Sequence, residues 1–122
     1  MYAQLRVYTV NRGKMDEWVR WFNEKLTPIA AMASHTIVGP WVNEAMTEFI
    51  WIRVYDSSDD AKAKDERFYN SPEWRAIAAE ARALIAKTEV TVMNGLAVPA
   101  EHDVSWTTGR VPVERDCALN RK

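Results

Sequence analysis

The chain has 122 residues, 48% hydrophobic and 27% charged, with a formal net charge of -1 from 16 basic and 17 acidic residues. This composition is typical of one soluble globular domain, and it argues against a disordered chain. Lysine and arginine are spread along the sequence, so binding to nucleic acid or to an acidic membrane surface is not expected. No apolar run approaches the roughly 20 residues that cross a bilayer. No signal peptide is recognised, and the single cysteine, Cys117, excludes an internal disulfide, so we expect a cytoplasmic protein.

The first half of the chain predicts two strands around a broken helix. Tyr2 to Val10 alternates with the period of a strand, and a helical period starts at Met15. Pro28 should kink or divide this helix, because proline removes a backbone hydrogen bond and crowds the preceding turn. Thr36 to Asn43 is a second strand, in which Gly39-Pro40 indicates an edge position or a bulge.

The second half predicts a strand, two helices and a last strand. Thr47 to Tyr55 alternates as the first strand does, and the acidic segment 56–60 starts a helix that runs to about Tyr69. Ser71 followed by Pro72 caps another helix, and Glu89 to Leu96 forms the fourth strand. The order β-α-β-β-α-β predicts an α+β fold of the ferredoxin-like type, with two helices on one face of a four-stranded antiparallel sheet. We assign residues 1–97 to this domain and residues 98–122 to a C-terminal extension, which Trp106 and Val111 could anchor.

The first and third strands each present two different faces. One face is aliphatic, and the other combines aromatic residues with Arg6 or Arg53. We expect the aliphatic face, with Val90 and Val92 of the fourth strand, to pack against the helices. The aromatic and arginine face then needs another cover, either a partner subunit or a ligand.

Several side chains on the aromatic and arginine face suggest chemistry. Arg6 and Arg53 could hold a carboxylate, enolate or phenolate oxygen, or they could form structural ion pairs with Glu48 or Glu89 or across a dimer. Tyr8 and Tyr55 could donate hydrogen bonds or protons to a substrate, or simply pack in the core. Trp51, with Trp18 and Phe22 from the first helix, could wall a pocket for a flat compound, or serve packing alone.

His35 has an ordinary pKa suited to proton transfer, although a single histidine at a strand entrance is also typical of a surface or capping residue. With only His102 elsewhere, the sequence holds no metal signature and no dinucleotide or phosphate loop, so no cofactor or metal is expected. Four acidic residues of the third helical segment are interpreted as a solvated face: Asp59, Asp60, Asp65 and Glu66.

Four stretches together make the chain resemble the NIPSNAP family of the dimeric α+β barrel superfamily. They are Gln4 to Val10 with Gly13-Lys14 and Glu17, Ser34-His35 with Val38-Gly39 and Trp41, Val54 to Ser57, and Ser71 to Trp74. The resemblance covers about residues 2–96 and implies a homodimer in which two sheets face each other. It also implies small-molecule chemistry without a cofactor, by proton transfer of the isomerase, cyclase or lyase type, or cofactorless oxygenation.

Two other functions remain open from the sequence. The first is a non-catalytic ligand-binding or dimeric assembly module. The second is haem handling, for which His35 would have to be the axial ligand. In the enzyme hypothesis, Arg6 or Arg53 stabilises an oxyanion, and Tyr8, Tyr55 or His35 moves the proton.

Overall fold

The computed structural model describes residues 1–96, which form four strands and four α-helices with one π-helical turn. In chain order the elements are β1 (Tyr2–Val10), α1 (Met15–Trp21), the π-helical turn (Phe22–Leu26), α2 (Thr27–Met32), β2 (Thr36–Val42), β3 (Glu48–Tyr55), α3 (Ser58–Tyr69), α4 (Pro72–Leu84) and β4 (Ile85–Asn94). The sheet order is β2-β3-β1-β4, with antiparallel neighbours throughout, which confirms the predicted ferredoxin-like fold. The extension 98–122, with Trp106, Val111, His102 and Cys117, lies outside the described residues.

The helix starts follow the predicted capping chemistry. The Ser57 hydroxyl accepts a hydrogen bond from the backbone N–H of Asp60 at 3.1 Å, and the Ser71 hydroxyl accepts one from the N–H of Trp74 at 3.1 Å. Pro72 occupies the first turn of α4, where its missing N–H has no partner to lose. The sequence therefore specifies where α3 and α4 begin.

The helix that follows β1 is divided near Pro28, as predicted. The wider π-helical turn replaces the α-helical spacing over Phe22–Leu26, and Pro28 then stands in the first turn of α2. Because proline cannot donate to the carbonyl four residues earlier, the division falls where that hydrogen bond is missing. Phe22 and Leu26, at the two ends of this turn, are both buried against the sheet.

The ends of the sheet show one confirmed prediction and one boundary error. β2 is an edge strand, and its register with β3 shifts between Val38 and Trp41, around Gly39-Pro40. β4 begins at Ile85, directly after α4, and not at Glu89. Ile85 follows the apolar residues of α4 at helical spacing, but it pairs with Val10 of β1 and belongs to the strand.

The two faces of the sheet are covered in the opposite way to the prediction. Tyr8, Phe49 and Trp51 form one buried cluster with rings from α1, the π-helical turn and α3, so the aromatic and arginine face packs against the helices. The expectation that the aliphatic face takes the helices was wrong. The helices carry large rings and polar side chains of their own. These groups suit the rings and guanidinium groups of this face of the sheet better than they would suit the aliphatic face.

The side chains of Val90 and Val92 were also placed on the wrong face. They are the cross-strand partners of Arg6 and Gln4, so they share the arginine face, where they are 47% and 52% exposed. The opposite face, which we call the outer face, carries the aliphatic side chains and leaves them partly exposed among residues 1–96. Its larger apolar members are Leu5, Val7, Val38, Trp41, Ile50, Ile52, Val54 and Met93.

Candidate functional site

A cavity of about 470 Å³, partly open to solvent, lies between the sheet and the helices. Its apolar wall comes mainly from the helices and consists of Trp18, Leu26, Phe68, Trp74, Ala78, Ala81, Ile85 and Ala86. Its polar lining comes from the sheet, α3 and α4 and consists of Arg6, Tyr8, Arg53, Tyr69, Arg82, Lys87 and Thr88. This size falls in the range of small-molecule sites, about 300–1,000 Å³.

Arg6 lies at the base of this cavity and is held by neutral groups on its own strand. Its Nε and Nη2 donate to the side-chain carbonyl of Gln4 at 3.2 and 2.8 Å, and its Nη1 donates to the Tyr8 hydroxyl at 3.1 Å. Residues at i and i+2 of a strand share a face, so the alternation of β1 brings these three side chains together. Arg6 is only 8% exposed, and no carboxylate among residues 1–96 forms an ion pair with it.

Arg53 lies deeper than Arg6 and is clamped between rings. Its guanidinium carbon is 4.8 Å from the ring centre of Trp51 and 5.1 Å from that of Phe68, so the charge lies against two aromatic groups. Its Nη1 donates to the Tyr69 hydroxyl at 3.2 Å and to a carboxylate oxygen of Asp65 at 3.4 Å. The predicted structural ion pair of Arg53 therefore exists, but with Asp65. Glu48 and Glu89 share the outer face with Thr9 and Val7, away from both arginines.

Asp65 is the centre of a polar network that the sequence analysis missed. Its carboxylate accepts hydrogen bonds from Tyr55 at 2.7 Å, from His35 at 3.0 Å and from Gln4 at 3.1 Å, besides the contact with Arg53. The interpretation of Asp65 as part of a solvated helix face was wrong, since its side chain is only 22% exposed.

A signal in the sequence could have identified Asp65. Ala61, Asp65 and Phe68 follow each other at helical spacing, and Ala61 and Phe68 are buried. Asp65 is therefore a carboxylate on the apolar stripe of α3, which requires partners inside the protein. Tyr69 follows on the same side of the helix and joins the cavity lining.

His35 and Tyr55 do not line the cavity. Both side chains are buried, and their polar atoms meet Asp65 on the far side of the network. His35 and Tyr55 are connected to the cavity only indirectly, through the hydrogen bonds of Asp65, Gln4 and Arg53. The structure therefore separates the proposed proton carriers: Tyr8 lines the cavity, whereas His35 and Tyr55 form its support.

The environment of each group determines its protonation. Burial raises the pKa of Tyr8 and outweighs the opposing effect of Arg6, so this phenol is protonated at neutral pH. Burial also raises the pKa of Tyr55, and its hydrogen bond to Asp65 adds to the effect. Burial lowers the pKa of His35 in spite of its contact with Asp65, which favours the neutral ring. Burial alone would raise the pKa of Asp65, but hydrogen bonds from His35, Tyr55 and Gln4 hold it far below the usual range, so Asp65 is ionised.

The three residues that were predicted to wall a pocket do not all lie at the cavity surface. Trp18 lines the cavity, whereas Trp51 and Phe22 are buried behind it, where their rings pack together with centres 5.0 Å apart. Trp51 supports the site from below, because the guanidinium groups of Arg6 and Arg53 both lie near its ring. Phe68 and Trp74 are cavity walls that the sequence analysis did not propose.

The described residues do not fit a haem site. The His35 side chain is fully buried, its Nε2 is engaged by Asp65, and it does not line the cavity. Residues 1–96 also contain no group of three or more side chains arranged to ligate a metal ion. Within the same range, no helix combines the length and apolar character needed to span a membrane.

The topology and the position of the cavity define a ferredoxin-like α+β domain with a pocket between its sheet and its helices. The sequence profile of the NIPSNAP family matches residues 2–98, and the chain belongs to that family. No curated protein matches the chain.

Solved structures show the same fold. An uncharacterized NIPSNAP domain protein from Burkholderia xenovorans has a TM-score of 0.74 at 19% identity, covering 80% of this chain and 96% of its own. A NIPSNAP family protein from Agrobacterium tumefaciens has a TM-score of 0.73 at 22% identity, covering 78% and 92%. A candidate antibiotic biosynthesis monooxygenase from Nitrosomonas europaea has a TM-score of 0.62 at 13% identity, covering 80% and 100%. At these identities, the likeness establishes the fold alone.

Proposed function

We propose that the protein is a cytoplasmic enzyme that acts without a cofactor on a small aromatic or keto-type metabolite, by proton transfer of the isomerase, cyclase or lyase type. The observation that carries this proposal is the cavity, which reaches two arginines and a protonated tyrosine from one side and aromatic rings from the other. If side chains alone had filled the space beside the aromatic and arginine face, a purely structural role would have been favoured. Cofactorless oxygenation of the same kind of substrate is the second reaction type, and the shared fold of the Nitrosomonas protein supports it.

The arginines supply the electrostatic part of this mechanism. A keto compound that loses a proton becomes an enolate, and its negative oxygen is stabilised by fixed hydrogen-bond donors in a site with little water. Arg6 is held in place by Gln4 and Tyr8, and the charge of Arg53 lies beneath it. These groups are oriented before the substrate arrives, so they do not reorganise during the reaction.

Tyr8 supplies the proton in this mechanism. Its oxygen accepts a hydrogen bond from Arg6, which leaves its own O–H free to donate to a bound enolate. When Tyr8 gives its proton to the enolate carbon, a C–H bond forms and a phenolate remains beside Arg6. The guanidinium stabilises that phenolate until it regains a proton from water. The reverse sequence abstracts the proton and forms the enolate.

Phenylpyruvate is a suitable first probe, because it is an aromatic keto acid whose conjugated enol is planar and absorbs ultraviolet light. We expect the protein to accelerate its keto–enol interconversion, and we expect Tyr8→Phe to reduce the rate about 100-fold or more, as loss of a general acid does. Tyr2→Phe is the matched control, because Tyr2 lies on the same face of β1 but does not line the cavity. An oxygen electrode in the same assay detects the oxygenation alternative.

Two outcomes would contradict the enzyme proposal. If Tyr8→Phe retained the rate within about twofold, Tyr8 would not be the acid. If phenylpyruvate and a panel of phenols and β-diketones bound without turnover or oxygen uptake, the alternative of a non-catalytic binding module would replace the enzyme.

We also propose that a second copy of the chain covers the outer face, as the predicted homodimer requires. This face is largely apolar and partly exposed, and Trp41 on it is 48% exposed. Such a layer suits sheet-on-sheet packing. Ile52→Glu should lower the molar mass in light scattering from dimer to monomer, whereas Val90→Glu, on the opposite face, should leave the dimer intact. A wild-type monomer at micromolar concentration would refute this assembly.

A further inference from the structure

The polar layer beneath the cavity carries more positive than negative charge. It contains two guanidinium groups, of Arg6 and Arg53, and one carboxylate, that of Asp65, so one positive charge is left without a counter-charge. The pKa shifts of Tyr8 and His35 keep both groups neutral at neutral pH, so neither changes this balance. An uncompensated charge away from water is costly, and the cost falls when an anion binds beside it.

The hydrogen-bonding groups of the site show the same imbalance. Arg53 Nε and Trp18 Nε1 are buried N–H donors of cavity-lining residues, and neither has an acceptor among residues 1–96. Arg6 uses one N–H on each of Nη1 and Nη2 for Tyr8 and Gln4, and each of these nitrogens carries a second N–H. The site is therefore rich in donors, and the second N–H groups of Arg6 are the ones that a ligand with only hydrogen-bond acceptors would engage.

The remaining lining adds charge of the same sign and sets the shape of the ligand. Arg82 is exposed and also lines the cavity, whose described lining contains no aspartate or glutamate. Lys87 borders the cavity too, but its ammonium group pairs with Glu89 on the outer face. The same cavity is lined by the rings of Trp18, Phe68 and Trp74. This combination of arginines and rings suits a molecule that joins an apolar ring system to a negative group.

We infer that this cavity selects a small organic monoanion with a flat apolar body, a carboxylate or enolate whose negative group lies against Arg6 and Tyr8. Arg53 lies beneath, at 1% exposure, and contributes mainly through its charge. One negative charge balances the surplus charge of the buried polar layer. This inference rests on the proposed function, since it specifies the charge of the ligand that the same cavity takes.

The test compares 2-naphthoate with 2-naphthamide and 2-naphthylmethylamine, which share the ring system and differ in charge. Each is titrated into the full-length wild-type protein by isothermal calorimetry, with the fluorescence of the cavity tryptophans as a second readout. We expect 2-naphthoate to bind at least about tenfold more tightly than 2-naphthamide, because hydrogen bonds to charged groups are the stronger ones. The cationic amine should not bind measurably.

Two variants connect the preference to the cavity. Arg6→Gln removes the surplus charge and should bring the affinities for naphthoate and naphthamide to within about threefold of each other. Arg82→Gln at the cavity rim should weaken naphthoate binding about two- to fivefold. Arg75→Gln is its matched control, because it changes the net charge equally and lies on the same helix, but bonds to Asn70 away from the cavity. Arg82→Gln keeps the test usable if Arg6→Gln does not fold.

The outcomes separate this inference from the proposed function. Equal binding of naphthoate and naphthamide, or tighter binding of the amine, would overturn the anion preference and leave a small-molecule site in place. Equal losses in Arg82→Gln and Arg75→Gln would also overturn it, because the effect would then come from net charge alone. If none of the three compounds bound, the cavity would not be a ligand site, and both proposals would fall.

Discussion

The substitution Asp65→Asn tests the network beneath the cavity, because it removes the charge with little change in shape. In the native protein, Oδ1 of Asp65 accepts from Tyr55, His35 and Arg53, and Oδ2 accepts from the Gln4 amide. An asparagine offers only one oxygen. If that oxygen keeps the Oδ1 position, its amide N–H faces the N–H of Gln4, and two donors meet.

Gln4 can relieve this clash only by rotating its amide, and that rotation disturbs Arg6. The Gln4 carbonyl that accepts from Arg6 at 2.8 and 3.2 Å would turn toward residue 65, and an N–H would face the guanidinium instead. The carboxylate of Asp65 thus determines the orientation of Gln4, which in turn holds Arg6. A single substitution on α3 should therefore reach the centre of the cavity.

The cost can be estimated from the number of hydrogen bonds affected. One bond of about 1 kcal/mol is lost at Gln4, and three others lose charge assistance of about 0.5–1 kcal/mol each. Allowing for the 22% exposure of Asp65, the total is about 2–3 kcal/mol. For a domain of this size, that corresponds to a fall of about 8–12 °C in Tm.

Urea denaturation followed by tryptophan fluorescence, at neutral pH and one fixed protein concentration, measures this difference. Glu66→Gln is the matched control, because it removes a charge at the neighbouring, exposed position of the same helix and should change stability by less than about 0.5 kcal/mol. If Asp65→Asn were no more destabilised than Glu66→Gln, the carboxylate would not organise the network, and the reasoning from its four contacts would be refuted.

Three further predictions concern pH, backbone geometry and capping. Burial lowers the folded-state pKa of His35, so the unfolded chain takes up the proton first, and stability that is complete above about pH 6.5 should decline as the pH falls through the folded-state pKa. His35→Gln should remove this part of the pH dependence in urea titrations, and an unchanged slope in His35→Gln would contradict the prediction. Gly39→Ala should cost about 1–3 kcal/mol in thermal unfolding, because Gly39 has a φ of +101° and a new Cβ would lie 2.7 Å from Trp41 ring atoms, so an unaltered Tm would be the contrary result. Ser57→Ala should cost about 1 kcal/mol by loss of the cap of α3, and a loss under about 0.3 kcal/mol in urea denaturation would show that the cap contributes little.

The predictable part of this fold was what local sequence determines. Period-two alternation located β1 and β3, the acidic segment 56–60 located the start of α3, and Ser71 located the start of α4. The covered face of the sheet was not predictable in the same way, because both faces of β3 are apolar enough to pack. That choice depends on tertiary partners, and Asp65 and Tyr69 of α3 complete the arginine face.

The candidate site was predictable to a similar degree. Arg6, Tyr8 and Arg53 come together because they stand on one face of paired strands, which their spacing already implied. The place of His35 behind the cavity could not be read from the sequence, because it depends on how the turn after α2 meets α3. The confirmed membership of the NIPSNAP family establishes the fold of these residues and leaves their chemistry to the experiments proposed above.

The direct passage from α4 into β4 affects how the cavity can change its size. Asn11 fastens this junction to the end of β1, since its side chain donates to the carbonyl of Ala83 and its backbone N–H donates to that of Leu84, both at 2.9 Å. The wall made by α4 therefore cannot swing outward without sliding β4 along β1. The neighbouring wall, α3, is held to the sheet by the side chains of Asp65 and Tyr69, and within residues 1–96 no backbone hydrogen bond joins it to a strand. A bulkier guest should thus be accommodated by displacement of α3, which would carry Asp65 and Tyr69 with it and loosen the grip on Arg53.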